Sequence, residues 1–145
     1  MKNYTTKIAV SKTSGEIIEL LTENDAKNIT IQNYEKKPVG IIFSLDIKDK
    51  EVRFLLEANV DATLRAMVVN KKVTKSHKNI EQAERTAWRN LKLYLEVKLA
   101  FIAVEGEKEQ RMLEMQKEFF ANMIDMEQKT LFQAYKEDEK LRLTQ

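Results

Sequence analysis

Three runs of β-branched and aromatic residues between residues 28 and 58 constrain the fold of this chain most. They read NITIQNY, VGIIFSLDI and EVRFLLEA, and the short segments EKKP and KDK separate them. Such side chains favour strands, and connections of this length join neighbouring antiparallel strands. The sequence therefore predicts a three-stranded antiparallel β-meander.

Apolar residues alternate along each of the three runs, as they do when one face of a sheet is buried. The predicted buried face consists of Ile29, Ile31, Ile41, Phe43, Leu45, Ile47, Val52, Phe54 and Leu56. A single amphipathic helix is enough to cover a face of this size. The sequence predicts such a helix just before the meander, and we expect the sheet to pack on it and on the long helix that begins at Asn79, with the C-terminal helices joining the core or a dimer interface.

This first helix is predicted from the segment EIIELL, whose apolar stripe consists of Ile17, Ile18 and Leu21. Thr13 or Ser14 is a suitable N-cap, since a side-chain oxygen there can accept a hydrogen bond from a free backbone N–H. We expect the helix to end near residues 24–25. Residues 7–10 are expected to form a short strand before it.

From Asn79 onward the apolar residues recur with the period of a helix. Asn79 is a suitable N-cap, and apolar residues follow at spacings of three and four: Ala87, Trp88, Leu91, Leu95, Leu99 and Ile102. We expect this helix to continue to about Glu105, with Gly106 as its C-cap or a hinge. A second amphipathic helix is predicted to run on through Met126, and a shorter helix or frayed tail over residues 130–143.

The predicted fold class is therefore α+β, with an N-terminal helix, a three-stranded antiparallel meander and long amphipathic C-terminal helices. We expect a single domain over residues 1–145. Within it, residues 1–61 form the first helix and the meander, residues 62–78 form a basic connection that begins with a short helix or turn, and residues 79–145 form the helical part.

Composition argues against most enzyme classes. The chain has no cysteine, one histidine and three glycines, so it has neither a thiolate site nor a glycine-rich phosphate-binding loop. His77 lies in the basic connection, where we assign it a structural role. The acidic pairs Asp46 with Asp49 and Glu81 with Glu84 are explained as surface charge, although a hard cation remains an alternative. We expect no cofactor and no catalytic residues.

No run approaches the roughly 20 consecutive apolar residues that a membrane span needs, and the first residues lack the apolar core of a signal peptide. The sequence therefore predicts a protein of the cytoplasm, in the cell of a host, with no membrane partner.

Basic residues are concentrated in the middle of the chain. Residues 62–104 contain nine basic and three acidic residues, whereas both flanking parts are slightly acidic. A local basic block of this kind attracts phosphate. The candidate nucleic-acid-binding residues are Lys71, Lys72, Lys75, Lys78, Arg85, Arg89 and Lys92. Of these, Arg85, Arg89 and Lys92 are spaced by four and three residues, so they are predicted to form one basic stripe on the helix. The alternative interpretation is a solvated face, with Trp88 as a core anchor beside it.

Methionine and phenylalanine dominate the apolar positions after residue 106. The candidate interface residues are Met112, Met115, Phe119, Met123 and Met126. Methionine side chains adapt to irregular surfaces, so this face is suited to a second copy or to a partner helix. The alternative is that these residues belong to the core. Of these interpretations we favour homo-oligomerisation through the C-terminal helices.

The segment AERTAWRNLKLYLEVKLAFI, together with KEFFANMI and TLFQAY, resembles a family of small uncharacterised proteins of phages, prophages and bacterial mobile elements. In that family a helix and a meander ending in a strand similar to RFLLEANV precede a helix with a pattern of WR and KLE. The resemblance covers residues 13–135. It implies a role in DNA replication or recombination, or in blocking a host defence component, and it supplies no catalytic residues.

The order helix, three antiparallel strands, helix is also similar to that of the double-stranded RNA-binding domain, and KSHKNIEQAERTAW is similar to its lysine-rich approach to the last helix. The chain departs from that domain by an extra segment over residues 58–70. It also lacks the glycine-serine-lysine turn. The similarity favours a phosphate-facing start of the helix at Asn79.

Taken together, these patterns predict a non-enzymatic phage or mobile-element binding protein that contacts nucleic acid through the basic helix and its lysine-rich approach. The alternative is a protein-interaction module, such as an anti-defence inhibitor of a host complex, that acts through the Met- and Phe-rich C-terminal helices. This alternative predicts that Met115→Asp or Phe119→Asp abolishes function while the monomer stays folded.

Overall fold

The structure, a computed structural model, describes the backbone of residues 1–143 and the side chains of residues 1–140. The helices and strands follow in this order: α1 Val10–Glu23, β1 Lys27–Tyr34, β2 Lys37–Ile47, β3 Lys50–Glu57, α2 Val60–Val69, α3 Ile80–Ile102, α4 Lys108–Glu118 and α5 Leu131–Leu143. Single 3-10 turns occur at Lys75–His77 and Phe120–Asn122. The predicted α+β fold, with its N-terminal helix, antiparallel sheet and C-terminal helices, is confirmed.

The three strands form one antiparallel sheet in the order β1-β2-β3. Two-residue turns join them, and all four turn residues have positive φ: 50° at Glu35, 67° at Lys36, 50° at Lys48 and 66° at Asp49. Turns with two left-handed residues match the right-handed twist of the flanking strands. The turns need no glycine; β2 and β3 pair without a shift, whereas the register of β1 with β2 shifts at two points.

The face that alternation predicts is buried in the main core, where Ile29, Ile31 and Val52 are partly buried. On the opposite face Ile42, Ser44 and Leu55 are buried as well. Phe43 on β2 and Phe54 on β3 pair across the strands with stacked rings 5.3 Å apart. Phe119, which follows α4, contacts the ring of Phe43 edge-on at 6.3 Å. The aromatic side chains thus link the sheet to the helical layer.

Three helices, α1, α3 and α4, share the cover of this face. The packing of the sheet on α1 and α3 was expected, and α4 joins them. Trp88 of α3 is fully buried, and its indole Nε1 donates a hydrogen bond to the backbone carbonyl of Pro38. The prediction that Trp88 anchors the core is confirmed. A smaller apolar cluster of Met67, Val73 and Ala83 packs α2 against the start of α3.

The start of the chain differs from the prediction. Residues 7–10 form no strand, and α1 begins at Val10, before either expected N-cap. Residues 4 and 6 instead present their carbonyl oxygens to the side chain of Gln82 on α3. Within the predicted strand itself the backbone N–H of Ile8 donates to Thr6 Oγ1 at 3.2 Å and Val10 belongs to α1, so neither residue is available to a strand ladder. The predicted end of α1 is correct within two residues.

The predicted cap of the long helix is confirmed, because Asn79 Oδ1 accepts a hydrogen bond from the backbone N–H of Gln82 at 2.9 Å. The helix ends at Ile102, three residues earlier than expected, so Gly106 lies outside it. The next helix was predicted to reach Met126 but ends at Glu118. Beyond it the chain turns back, and Met123 forms a β-bridge with Phe54 at the edge of β3.

Candidate nucleic-acid interface

Residues 71–78, the lysine segment, connect α2 to α3. Val73 is buried in the cluster that joins these helices. The backbone N–H of Lys72 donates to Asn70 Oδ1 at 2.9 Å, and Thr74 Oγ1 is 2.8 Å from His77 Nδ1. The segment is therefore held at several points along its length, and one of these contacts involves His77.

The lysine segment carries charge that is not neutralised locally. Lys71, Lys72 and Lys75 are exposed and Lys78 is half-buried. None of the four forms an ion pair with a carboxylate of the residues that the structure describes. They lie immediately before the N-terminus of α3, where the free backbone N–H groups add partial positive charge. The segment is thus a basic surface whose lysines have no carboxylate partner among the described residues.

Arg89 and Lys92 lie in a different environment. Arg89 Nη1 is 3.0 Å from Glu16 Oε2, and Lys92 Nζ bonds the same carboxylate oxygen. All three side chains are largely buried between α1 and α3. These two cations of the predicted basic stripe are therefore used to join two helices of the fold, and they are neutralised there.

The electrostatics of Glu16 agree with this geometry. The hydrogen bond from Lys92 lowers the pKa of Glu16 below its ordinary value of 4.5, against the opposing effect of partial burial, and the hydrogen bond from Arg89 lowers it further. Because folding lowers the pKa of this carboxyl group, its contribution to stability is complete above the unfolded-state pKa. It is lost as the pH falls through the folded-state pKa.

We therefore expect Glu16→Gln to destabilise the protein at pH 7, and the difference from the wild type to shrink as the pH falls below 4.5, the ordinary pKa of this group. Urea-unfolding midpoints measured from pH 7 down to pH 3 test this expectation. The matched control is Glu19→Gln, because Glu19 lies exposed on α1 and has no ion-pair partner among the described side chains. A difference between the wild type and Glu16→Gln that does not change with pH would contradict it.

Arg85 is the third cation of the predicted stripe. It is hydrogen-bonded to Gln82, which holds the N-terminal segment, residues 1–9. Its Nη2 donates to Gln82 Oε1 at 2.6 Å, while Gln82 Nε2 donates to the carbonyl oxygens of Tyr4 and Thr6. The Nε of Arg85 is buried and has no partner within the described part of the chain. Arg85 thus faces the protein more than the solvent, and the predicted stripe does not form one exposed surface.

The candidate interface residues also fall into two groups. Met112, Met115 and Phe119 are buried in the main core, where no surface remains for a partner. Met123 is partly buried beside the same core, and Met126 is 98% exposed. The sequence could not separate the two groups because all five residues fit one helical period, and the helix ends between them.

Two features of the surface were not anticipated. The outward face of α3 exposes the large apolar side chains of Leu93, Tyr94, Val97 and Phe101, and Val104 in the turn after the helix is also exposed. The signal for this face was present in the sequence, since these residues recur at helical spacing, but the stronger buried stripe of the same helix obscured it. In addition, a cleft of about 670 Å³ opens between the end of β3, the middle of α3 and the start of α5.

This cleft has an apolar floor and a rim that includes the carboxamides of Asn59, Asn90 and Asn122. Asn90 already accepts a hydrogen bond from Asn3, which ties part of the rim to the N-terminal segment. Within residues 1–140 no three His, Cys, Asp or Glu side chains lie close enough together to hold a metal ion. The acidic pairs considered above therefore do not form part of a larger ligand set.

None of the described helices is both long enough and apolar enough to cross a membrane.

When the chain is compared with family models, with curated proteins and with solved structures, none of the three comparisons gives a match.

Proposed function

We propose that this protein is a non-enzymatic binding protein of a phage or mobile element and that it contacts nucleic acid through the lysine segment. The observation that supports this most is the absence of any described carboxylate partner for its four lysines. Lysines that are already paired would have to lose a partner before they bound phosphate. The four lysines of this segment bind without that cost, and they release counterions from the nucleic acid.

The local structure adds a second reason. Val73 and the bond between Thr74 and His77 hold the backbone, so the lysines are presented from an ordered segment. Ordering a flexible loop on binding would cost free energy for each residue that is fixed. The resemblance to phage and mobile-element proteins supports the biological context.

The affinity for nucleic acid is expected to fall steeply as the salt concentration rises. Each phosphate that a lysine neutralises contributes about −0.9 to the slope of log K against log salt concentration for duplex DNA, so four contacts give a slope of roughly −3 to −4. The whole chain carries a net charge of only +2, so a slope of this size requires a local cluster of cations.

The test is fluorescence anisotropy with labelled single- and double-stranded DNA and RNA at several salt concentrations. In the triple variant Lys71→Gln/Lys72→Gln/Lys75→Gln we expect at least a roughly tenfold loss of affinity and a salt slope reduced by about 3. The control is Lys36→Gln/Lys48→Gln/Lys50→Gln. It removes the same charge from exposed lysines at the two hairpin turns, which also have no described ion-pair partner.

We expect this control to bind nearly as well as the wild type. Equal losses in the two triple variants would mean that net charge alone controls binding, and the lysine segment would then have no special role. If none of the four nucleic acids bound at low salt, the proposal would be rejected.

A second candidate function is a protein-interaction module, such as an inhibitor of a host defence complex. The observation that favours it is the exposure of apolar side chains around α5, namely those of Phe120, Met126, Leu131, Phe132 and Tyr135. Met115 and Phe119 are poor probes of this function because substitutions in the core disturb folding. Phe132→Asp and Met126→Asp are suitable probes, and the readout is loss of inhibition of the host complex in a folded protein that still binds nucleic acid.

A further inference from the structure

One edge of β3 is paired only in part. Along its whole length β3 pairs with β2. On the opposite edge Met123 forms a bridge with Phe54, and the backbone N–H of Ile124 donates to the carbonyl oxygen of Arg53 at 3.0 Å. This contact covers the strand as far as Phe54. Residues 55–57 continue past it and line the cleft of about 670 Å³ described above.

The direction of the backbone groups beyond this contact follows from the pairing, because these groups alternate between the two sides of a strand. The N–H of Ala58 donates to a carbonyl oxygen of β2 at 2.9 Å, whereas the carbonyl oxygen of Arg53 accepts from Ile124 on the other side. The next two odd-numbered residues, Leu55 and Glu57, therefore direct their N–H and C=O groups away from β2.

Several of these groups have no partner. The N–H of Asn122, which would continue the pairing along this edge, donates instead to the carbonyl oxygen of Phe119 at 2.8 Å. The carbonyl oxygen of Leu55 and both backbone groups of Glu57 make no hydrogen bond to the described residues. Leu55 is 2% exposed, so little water reaches it. Because buried backbone groups are nearly always paired, this edge is expected to gain a partner.

The lining of the cleft indicates the chemistry of that partner. The carboxamides of Asn59 and Asn122 lie on the rim and make no hydrogen bond to the described residues. Amides both donate and accept, which suits the backbone of a peptide. Among the described lining residues only Glu57 is charged, and it has no ion-pair partner within the described chain. A basic side chain is therefore favoured beside it and an acidic one is repelled.

The other edge of the sheet is less suited to an added strand. β1 forms that edge, and its register with β2 shifts at two points. Asn28 has a φ of 52°, and Lys27 at the start of β1 forms an ion pair with Asp46. Irregular edges that carry lysine are typical of strands that do not accept another chain. β3 is paired without a shift over residues 50–57, so its edge is the favoured one.

We propose that the cleft binds a short extended peptide segment of a partner protein, which adds as a strand to the free end of β3. The backbone of the segment pairs with Leu55 and Glu57. One apolar side chain of the segment lies against Ala87 and Leu91, the buried floor of the cleft, and a basic side chain lies beside the carboxylate of Glu57. The inference concerns a different surface from the lysine segment and does not depend on nucleic-acid binding.

The probe is a small library of blocked hexapeptides in which two apolar residues alternate with two threonines between terminal lysines. The apolar residues are valine, isoleucine, leucine or phenylalanine. Binding is followed by the backbone ¹H–¹⁵N resonances of the protein. We expect at least one peptide to bind with a Kd between roughly 0.1 and 1 mM and to shift the resonances of Glu57 and Asn122 most.

N-methylation of the peptide tests strand addition on the wild-type protein. Two forms of the binding peptide are made, each with the N–H groups along one of its two edges methylated. We expect one form to bind at least roughly tenfold more weakly, because its donors to β3 are lost, and the other to bind like the unmodified peptide.

Glu57→Pro tests the same edge from the side of the protein, because proline removes an N–H that points away from β2 and is tolerated at such a position. The matched control is Glu57→Ala, which also lacks the carboxylate but keeps the N–H. We expect Glu57→Ala to bind about threefold more weakly than the wild type and Glu57→Pro roughly tenfold more weakly than Glu57→Ala. Urea-unfolding midpoints verify that both variants are folded. If Glu57→Pro unfolds, the N-methylated peptides still decide.

Three results would overturn the proposal. The first is that no peptide of the library binds at roughly 1 mM, or that both N-methylated forms bind equally well. The second is that the largest shifts occur in β1, which would place the added strand on the other edge of the sheet. The third is a wild type that dimerises in sedimentation velocity while Glu57→Pro is monomeric, which would assign the edge to a second copy.

Discussion

Replacing Phe119 with alanine is expected to lower the free energy of unfolding by roughly 3 to 5 kcal/mol. The side chain is 0% exposed, and its ring lies 6.3 Å from the rings of both Phe43 and Tyr94. The substitution removes these contacts and leaves a cavity between α4, α3 and the sheet, which the surrounding side chains fill only in part. Urea unfolding followed by the fluorescence of Trp88, the single tryptophan, measures the effect.

The neighbouring residue provides the control. Phe120 is 56% exposed, so we expect Phe120→Ala to change the free energy of unfolding by less than about 1 kcal/mol. The two variants remove the same side chain at adjacent positions and therefore differ mainly in what the folded protein loses. Equal destabilisation by both would show that Phe119 is not part of the core. For the same reason Phe119→Asp, considered above as a probe of a partner surface, is expected to unfold the monomer, because it buries an unpaired carboxylate.

The second large effect is expected for Gln82→Met, which should destabilise the protein by roughly 2 to 4 kcal/mol. Gln82 is 3% exposed, and its Nε2 donates 2.9 Å hydrogen bonds to the carbonyl oxygens of Tyr4 and Thr6. Its Oε1 accepts a hydrogen bond from Arg85. Methionine has a similar length but no donor, so two backbone carbonyls and a guanidinium group lose their partner together.

Gln110→Met is the matched control, because Gln110 is exposed on α4 and makes no hydrogen bond through its side chain to the described residues. Its effect on the midpoint of urea unfolding should be close to zero. Amide hydrogen exchange adds a local readout, and in Gln82→Met we expect faster exchange at the backbone N–H groups of Thr6 and Ile8. The N–H of Thr6 donates to the carbonyl oxygen of Asn3 and the N–H of Ile8 donates to Thr6 Oγ1, and both hydrogen bonds need a fixed N-terminal segment. Unchanged stability and exchange would contradict the role of Gln82.

Much of the fold could be predicted because its signals are local. The alternation of Ile41, Phe43 and Leu45 along one strand predicts which face of the sheet lies in the main core. The cap at Asn79 depends on a hydrogen bond to a residue only three positions away. Both features follow from a few consecutive residues, and both are confirmed.

The parts that could not be predicted depend on contacts between distant residues. Glu16 lies 73 positions from Arg89 and 76 from Lys92, and no short pattern links them. The sequence therefore placed both cations on a free basic surface. Similarly, helical spacing groups Met115 with Met126, but the chain leaves the helix after Glu118 and separates a buried residue from an exposed one. Of the candidate nucleic-acid residues, the lysine segment is the part that retains free charge.

The attachment of the N-terminal segment has a consequence for the order in which the chain folds during synthesis. The carbonyl oxygen of Asn3 accepts a hydrogen bond from Thr86, and its side chain donates to Asn90, across 83 and 87 positions of sequence. The segment around Asn3 leaves the ribosome long before the residues that hold it. The meander can assemble while the chain is still growing, since its strands are neighbours, but the N-terminal segment remains undocked until α3 has emerged. Closure of this contact is therefore a late step of co-translational folding.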